Sequence, residues 1–511
     1  MDGPASQRGE KWSASLLTLI LAMAAAFRLT DLDGLAPFID ESADLVLTLD
    51  YQSWSVWDRL LHGKLLGYLW FKPILLLAWD PLYAARLFSA FIGLISVILT
   101  YRLLSALTGT KAALAGTAFF AFMPLGVFHD RLALFDGVMV ACVTAAVFFY
   151  FCHTDDQPLA LLLTGFLFGT GALTKAYALL AVLLWLPVLR RRTFSWRSLL
   201  IVAVGFLVCL LVMGLFLAVE LREGVENLEE ALKAPNRFLA LELSALQRAG
   251  LALDQLGQIF GYLNGYNGWV FLPVVLLAAL APGDRRRFRL ELLGTWLLSC
   301  IILSVAFQFL FSRYLLMTLP AVALLVALAV DDCLKRIRTQ RRWTGNTWFT
   351  LAVLWLLALC GADVVYRDTL IAAQLPERVL PARDAYQYLW GGPSGFGLRE
   401  IADRLRKLDL SDERKVICVT RGMGTGTHGA ATLLLLLRHE PIRFVHLWLR
   451  SEDDIQLVRS LPARSLVVFF VEEPDFLTDQ TLSRLGGQLK LLLEVRGTSG
   501  RPDYRLFQLV R

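Results

Sequence analysis

From Ser15 to about Gly361 the apolar residues come in repeated blocks close to twenty long, the length of helix needed to cross the hydrocarbon of a bilayer. Few folds tolerate such a pattern, because every backbone polar group in lipid must be satisfied within its own segment. The chain is 56% hydrophobic and only 18% charged over 511 residues. That is more apolar surface than a soluble core of this length encloses, so lipid covers the excess. The blocks predict a mainly α polytopic membrane protein with about 11 transmembrane helices, at 14–29, 84–105, 111–127, 132–152, 158–174, 176–189, 198–220, 266–282, 290–311, 313–333 and 343–362. The first block follows a short polar start with Arg8 and Lys11, and no cleavage site closes it before Arg28; it is read as an uncleaved span. The blocks at 158–174 and 176–189 are short, so they tilt, re-enter or form one broken span.

The formal charge of +6 does not indicate nucleic acid, because the basic residues cluster in short loops between spans. With the N-terminus cytoplasmic, the inner loops hold Arg190, Arg191, Arg192 and Arg197, then Arg285, Arg286, Arg287 and Arg289, then Lys335, Arg336, Arg338, Arg341 and Arg342. The opposite loops carry Asp31, Asp33, Asp40, Glu41, Asp44 and Asp50, and later Glu223, Glu226, Glu229 and Glu230. Three basic clusters on one side set the orientation and put the C-terminal part outside.

The expected organisation is a membrane domain over 1–362 and an extracytoplasmic α/β domain over 363–511. Within the first, the outer stretches 30–83 and 224–265 read as interfacial helices, because their apolar runs are interrupted by Lys64, Lys72 and Pro73. In the second, β-rich runs such as 416–420, 442–447, 465–471, 490–495 and 504–510 alternate with helical ones such as 398–408. The seven cysteines, Cys142, Cys152, Cys209, Cys300, Cys333, Cys360 and Cys418, show no CxxC or metal spacing and read as small buried residues. Gly424, Gly426 and Gly429 form a GxGxxG run; on an outer domain without a dinucleotide supply it reads as a tight strand-to-helix turn, with phosphate or sugar contact at the helix start as the other option.

Ionisable residues at membrane depth are costly and mark functional sites by default. Asp40 and Glu41, in "PFIDESAD" just after the first span, have apolar neighbours and suit a general base toward a hydroxyl or amine. Asp136, in "RLALFDGVM", lies near the outer end of an apolar helix, where a lone acid either pairs with a neighbouring helix or takes part in chemistry. Arg131 is at the same face and is a candidate for the donor phosphate, while His129 and Asp130 read as surface residues of the connecting turn. Lys64, Lys72, Lys175 and Arg313 all map to the outer boundary. Each either snorkels at a helix end or, together with the carboxylates, holds the phosphate of a lipid-linked substrate as it departs.

These residues resemble the GT-C glycosyltransferases, specifically the protein O-mannosyltransferases and their bacterial relatives of glycosyltransferase family 39, with the lipid A aminoarabinose transferases nearby. The resemblance covers about the first 340 residues: the acidic pair Asp40 and Glu41, the "ARLFSAFIGLISVILTYRLL" span, "RLALFDGVM", "GALTKAYALL" and "SRYLLMTLP". It implies transfer of a sugar, with inversion, from a polyprenyl-phosphate donor to an acceptor lipid, glycan or protein on the outer face. Asp40 resembles the catalytic acid of the first outer loop and Asp136 the second family aspartate. Lys64 resembles the lysine that contacts the donor phosphate, with Lys72-Pro73 as a rival alignment. The acidic metal ligand beside that lysine is replaced by Gly63 or Phe71, so no metal is expected, and the C-terminal part is unlike the β-trefoil repeats of the eukaryotic enzymes. Two readings from other classes compete. One is a transporter or flippase for a lipid-linked sugar, against which the chain shows no internal repeat; the other is a noncatalytic assembly subunit. The orientation is checked by reporter fusions: alkaline phosphatase is expected to be inactive when fused at Arg191 and active when fused after Asp363, and the reverse pattern overturns the outer site.

Overall fold

The computed structural model describes residues 4–49, 64, 66–77, 80–152, 157–191, 195–220, 245–307, 309–339, 345–390, 394–395 and 397–407, together with 415–419, 432–433, 435–437, 443–447, 456, 460, 466–470, 488–496 and 502–510. The glycine run at 424–429 and the stretch 221–244 lie outside the described residues. In order, the helices are α1 (Pro4–Leu29), α2 (Ile39–Leu49), α3 (Gly67–Leu77), α4 (Pro81–Leu107), α5 (Thr110–Ala121), α6 (Pro124–Asp130), α7 (Asp136–Cys152), α8 (Pro158–Thr174), α9 (Leu180–Leu189), α10 (Trp196–Glu220), α11 (Ala245–Asn267), α12 (Phe271–Leu280), α13 (Arg286–Ala306), α14 (Leu319–Thr339), α15 (Gly345–Ala372) and α16 (Leu398–Lys407).

The chain divides into two compact units, one made of 1–31, 52–70 and 86–381, the other of 32–51, 71–85 and 382–511. α15 runs on to Ala372, and residues 32–51 and 71–85 group with the C-terminal residues. Among the described residues, five helices are long and apolar enough to cross a membrane: Lys11–Leu29, Pro81–Leu107, Arg286–Ala306, Ser312–Arg338 and Thr350–Ala372. Seven segments qualify if each of two bent pairs is one span. Four of the expected eleven fall on shorter apolar helices, Asp136–Cys152, Pro158–Thr174, Ala176–Leu189 and Trp196–Val212, so among the described residues length and composition do not reach eleven.

The bends have local causes. α5 and α6 meet at 57° where Pro124, which has no N–H to continue the α5 ladder, starts the second helix. α11 and α12 meet at 101° through Gly268, whose φ of 86° is in the left-handed region that glycine adopts freely. Helices α8 and α10 pack backbone against backbone: a Cβ at Gly165 would strike the Val202 carbonyl, and one at Gly205 the Leu162 carbonyl. Small residues let two backbones approach where lipid gives no hydrophobic drive, and the outward face of α10, with Leu200, Leu207 and Leu211, is exposed as a lipid-facing surface should be.

At the expected inner side, part of the basic cluster is enclosed rather than free in a loop. Arg285 binds Asp332 at 2.9 Å and the Leu107 carbonyl at 3.2 Å, and its other nitrogen reaches Asp331 at 2.5 Å. Arg289, with no exposed surface, binds Asp332 and the Ala281 carbonyl. Asp331 also accepts the Gly109 N–H at 3.3 Å. The cluster thus joins the ends of α4, α12, α13 and α14.

In the second unit, α2 begins after Phe38, whose N–H donates to Glu41 Oε2 at 3.0 Å. This is the reciprocal half of a capping box. Phe38 meets Tyr388 edge to face at 4.7 Å. α16 is amphipathic: Leu398, Ile401, Ala402 and Leu405 are buried at the spacing of one helical face. Five strands, β1 (Lys415–Val419), β2 (Arg443–Leu447), β3 (Leu466–Phe470), β4 (Gln488–Arg496) and β5 (Pro502–Val510), form a sheet in the order β2-β1-β3-β5-β4. β1 is parallel to β2 and β3, and β5 runs antiparallel to β3 and β4.

Removing one member of a buried ion cluster leaves the others uncompensated, at a cost of about 3–5 kcal/mol. Asp332→Ala is therefore expected to lower the unfolding temperature in detergent clearly, whereas Arg287→Ala, whose side chain is 93% exposed, leaves it unchanged.

Candidate active site

Helix α8 ends at Lys175, which turns to extended backbone (φ −150°, ψ 117°). A 3-10 turn, Ala176–Leu179, follows at once. The interruption at Lys175 brings its side chain and Tyr177 toward the start of α7. Tyr177 Oη donates to Asp136 Oδ1, and Lys175 Nζ lies 3.5 Å from Asp136 Oδ2. Asp136 has no exposed surface, and Lys175, Tyr177 and Arg313 have 5–7%.

Arg313 enters from a second 3-10 turn, Ser312–Thr318, with its guanidinium 4.8 Å from the Phe311 ring. The neighbouring rings of Tyr177 and Tyr314 are 4.9 Å apart. Lys64 approaches from the third direction. The Leu66 N–H bonds the Leu173 carbonyl at 3.0 Å and Trp70 Nε1 bonds Thr174 Oγ1 at 3.1 Å, which fastens this stretch to the end of α8. Lys64 Nζ then stands 5.9 Å from the Phe135 ring. Gly67 permits that approach, since a Cβ there would sit 2.5 Å from the same ring. The carboxylate of Asp136 accordingly lies in the field of Lys175, Arg313 and Lys64 together.

Beside this corner is a second buried group. Arg28 binds Asp130 at 2.9 Å and the Ala121 carbonyl at 2.8 Å. Arg131 donates to the carbonyls of Phe27 at 2.8 Å and Asp31 at 3.2 Å, closing the end of α1; burial, with the charge of Arg86, pulls its guanidinium down to about 10. His129 Nδ1 donates to the Leu125 carbonyl at 2.8 Å, and Nε2 of the neutral ring then accepts from Ser312 Oγ at 3.3 Å. The expectation that His129 and Asp130 are surface residues of a turn is therefore corrected: both are buried, because the turn is enclosed by α1 and the Ser312 segment. Arg131, a candidate for the donor phosphate, donates to the backbone carbonyls of Phe27 and Asp31.

Residues 66–216 match the family model of dolichyl-phosphate-mannose-protein mannosyltransferases. Among solved structures, ArnT from Cupriavidus metallidurans bound to undecaprenyl phosphate has a TM-score of 0.60 at 13% identity, and its apo state 0.59 at 14%; both alignments cover 98% of each chain. The fold is that of the GT-C glycosyltransferases. The apo oligosaccharyltransferase of Archaeoglobus fulgidus aligns with a TM-score of 0.50 at 12% identity, over 96% of this chain and 74% of that one. No curated protein matches the sequence.

Within the GT-C fold of this chain, the residues singled out in the sequence fall in two sets. Asp136, Lys64, Lys175 and Arg313 come together in the first unit, with Arg131 in the adjoining group. Asp40, Glu41 and Lys72 belong to the second unit. Of the acidic pair, Glu41 has no exposed surface and is engaged at the helix start, while Asp40 is half-buried. Lys72 is half-buried in α3, just before Pro73. Among the described residues, no group of three or more His, Cys, Asp or Glu side chains is placed to hold a metal ion. Tyr177 and Arg28 were missed from sequence. Tyr177 stands in the "TKAY" run, but its partner is 41 residues away; Arg28 reads as a span end, and Asp130 is 102 residues away.

Proposed function

We propose that the chain is a membrane glycosyltransferase that moves a sugar from a polyprenyl-phosphate donor to an acceptor on the extracytoplasmic face, with inversion at the anomeric carbon. The observation that carries this reading is the corner where Lys64, Lys175 and Arg313, from three separate segments, surround one buried carboxylate at the ends of apolar helices. Cations gathered at that place suit a phosphate whose lipid tail lies in the membrane. The ArnT structure with undecaprenyl phosphate is a GT-C relative with that kind of ligand. The acceptor is a lipid, a glycan or a protein, and the N-terminus is cytoplasmic with the C-terminal part outside.

In this reaction an acceptor hydroxyl or amine attacks the anomeric carbon as the bond to the phosphate oxygen breaks. The acceptor's proton passes to a carboxylate, and the electron pair of the broken bond leaves on the phosphate. The departing group is already anionic, so it needs charge stabilisation more than a proton, and the cations of the corner supply it. Asp40 is the base. It keeps accessible surface, whereas Glu41 is spent on the Phe38 N–H.

Asp40→Asn keeps the shape and removes the base. Turnover is expected to fall by about 10²- to 10⁴-fold while polyprenyl-phosphate binding is retained, measured as sugar transfer from a short-chain donor in detergent and as direct lipid binding. Wild-type turnover by this variant removes Asp40 from the mechanism.

A further inference from the structure

Asp136 was singled out as a catalytic carboxylate, but its setting allows a different part. It has no exposed surface, so no acceptor reaches it. One oxygen takes the Tyr177 hydroxyl and the other faces the Lys175 ammonium at 3.5 Å. Both are delivered by the same break between α8 and the 3-10 turn, where Lys175 is extended and Tyr177 sits two residues later. We infer that Asp136 is a positioning residue: held by Tyr177, it anchors the Lys175 ammonium in its charged form at the place where the donor phosphate binds. The inference rests on the donor reading above and deepens it, by making Tyr177 part of the phosphate site and removing Asp136 from the proton transfer.

An ammonium with 6% exposure in apolar surroundings is costly unless a carboxylate accompanies it. A carboxylate with no exposure in turn needs donors on both oxygens. Tyr177 meets one of those needs and fixes the rotamer that turns the other oxygen to Lys175. Arg313 and Lys64 lie within electrostatic reach of the same carboxylate. If it is taken away, Lys175 loses the carboxylate that holds it in place, so the site should lose phosphate affinity rather than general-base power.

The test is binding of a short-chain polyprenyl phosphate to the full chain in detergent, with the uncharged polyprenol of the same length as control. Asp136→Asn is expected to weaken phosphate-lipid binding on the order of 10- to 100-fold. Polyprenol binding stays unchanged. Tyr177→Phe should weaken binding by about 2- to 10-fold in the same direction, and Asp136→Glu should restore part of the loss. Because Asp136 acts through Lys175, the double variant Asp136→Asn, Lys175→Met should bind no worse than Lys175→Met alone. Additive losses, or full phosphate-lipid binding by an Asp136→Asn protein that no longer transfers sugar, overturn the inference and return Asp136 to catalysis. Absence of phosphate-lipid binding by the unsubstituted chain overturns the donor reading and this role with it.

Discussion

The pairing of Asp136 with Lys175 and Tyr177 is the contact on which the arrangement of the site depends. A carboxylate sealed from water cannot be left without donors, so the chain must bring two to it. The donors come from the only part of α8 and its continuation where the helix is interrupted. Had the apolar run from Pro158 to Leu189 continued as one helix, Lys175 and Tyr177 would point about 200° apart around its axis, and one carboxylate would not meet both. The break that shortens the spans is thus the feature that builds the corner, and Lys64 is drawn to it by the bonds of Leu66 and Trp70 to the end of α8.

Similar reasoning applies at the other charged groups. The Arg28–Asp130 pair and Arg131 fasten α1 to the turn that precedes α7, and Arg285 and Arg289 fasten α12 and α13 to α14 through Asp332. Between these groups the helices meet through apolar and small side chains, which give little directional preference in lipid. The charged pairs supply register, since each has a single partner geometry and a high cost if that geometry is missed.

Periodicity and block length made the long spans legible, because a run such as Ala84 to Ser105 can do little else in a chain of this composition. The shorter helices were harder to assign. Pro124 and Lys175 interrupt runs that hydropathy averages over, and an average does not record a bend. The grouping of Lys64, Lys175 and Arg313 was legible only as shared depth, since depth follows from counting spans while neighbourhood does not. Tyr177, Arg28 and the burial of Asp130 were hidden for one reason: each is decided by a partner on another helix, and a polar residue near a turn looks solvated until that partner is known. Glu41 was hidden differently. Its capping role starts from Phe38, which lacks the side-chain oxygen that makes a capping box visible in sequence.

A structure of the full chain with a short-chain polyprenyl phosphate is the most direct test of the central claim. The phosphate is expected at hydrogen-bonding distance from Lys175, with Lys64 and Arg313 facing it and Asp136 still held by Tyr177. A phosphate bound away from all three cations, with Asp136 open to water and released from Tyr177, would contradict the account.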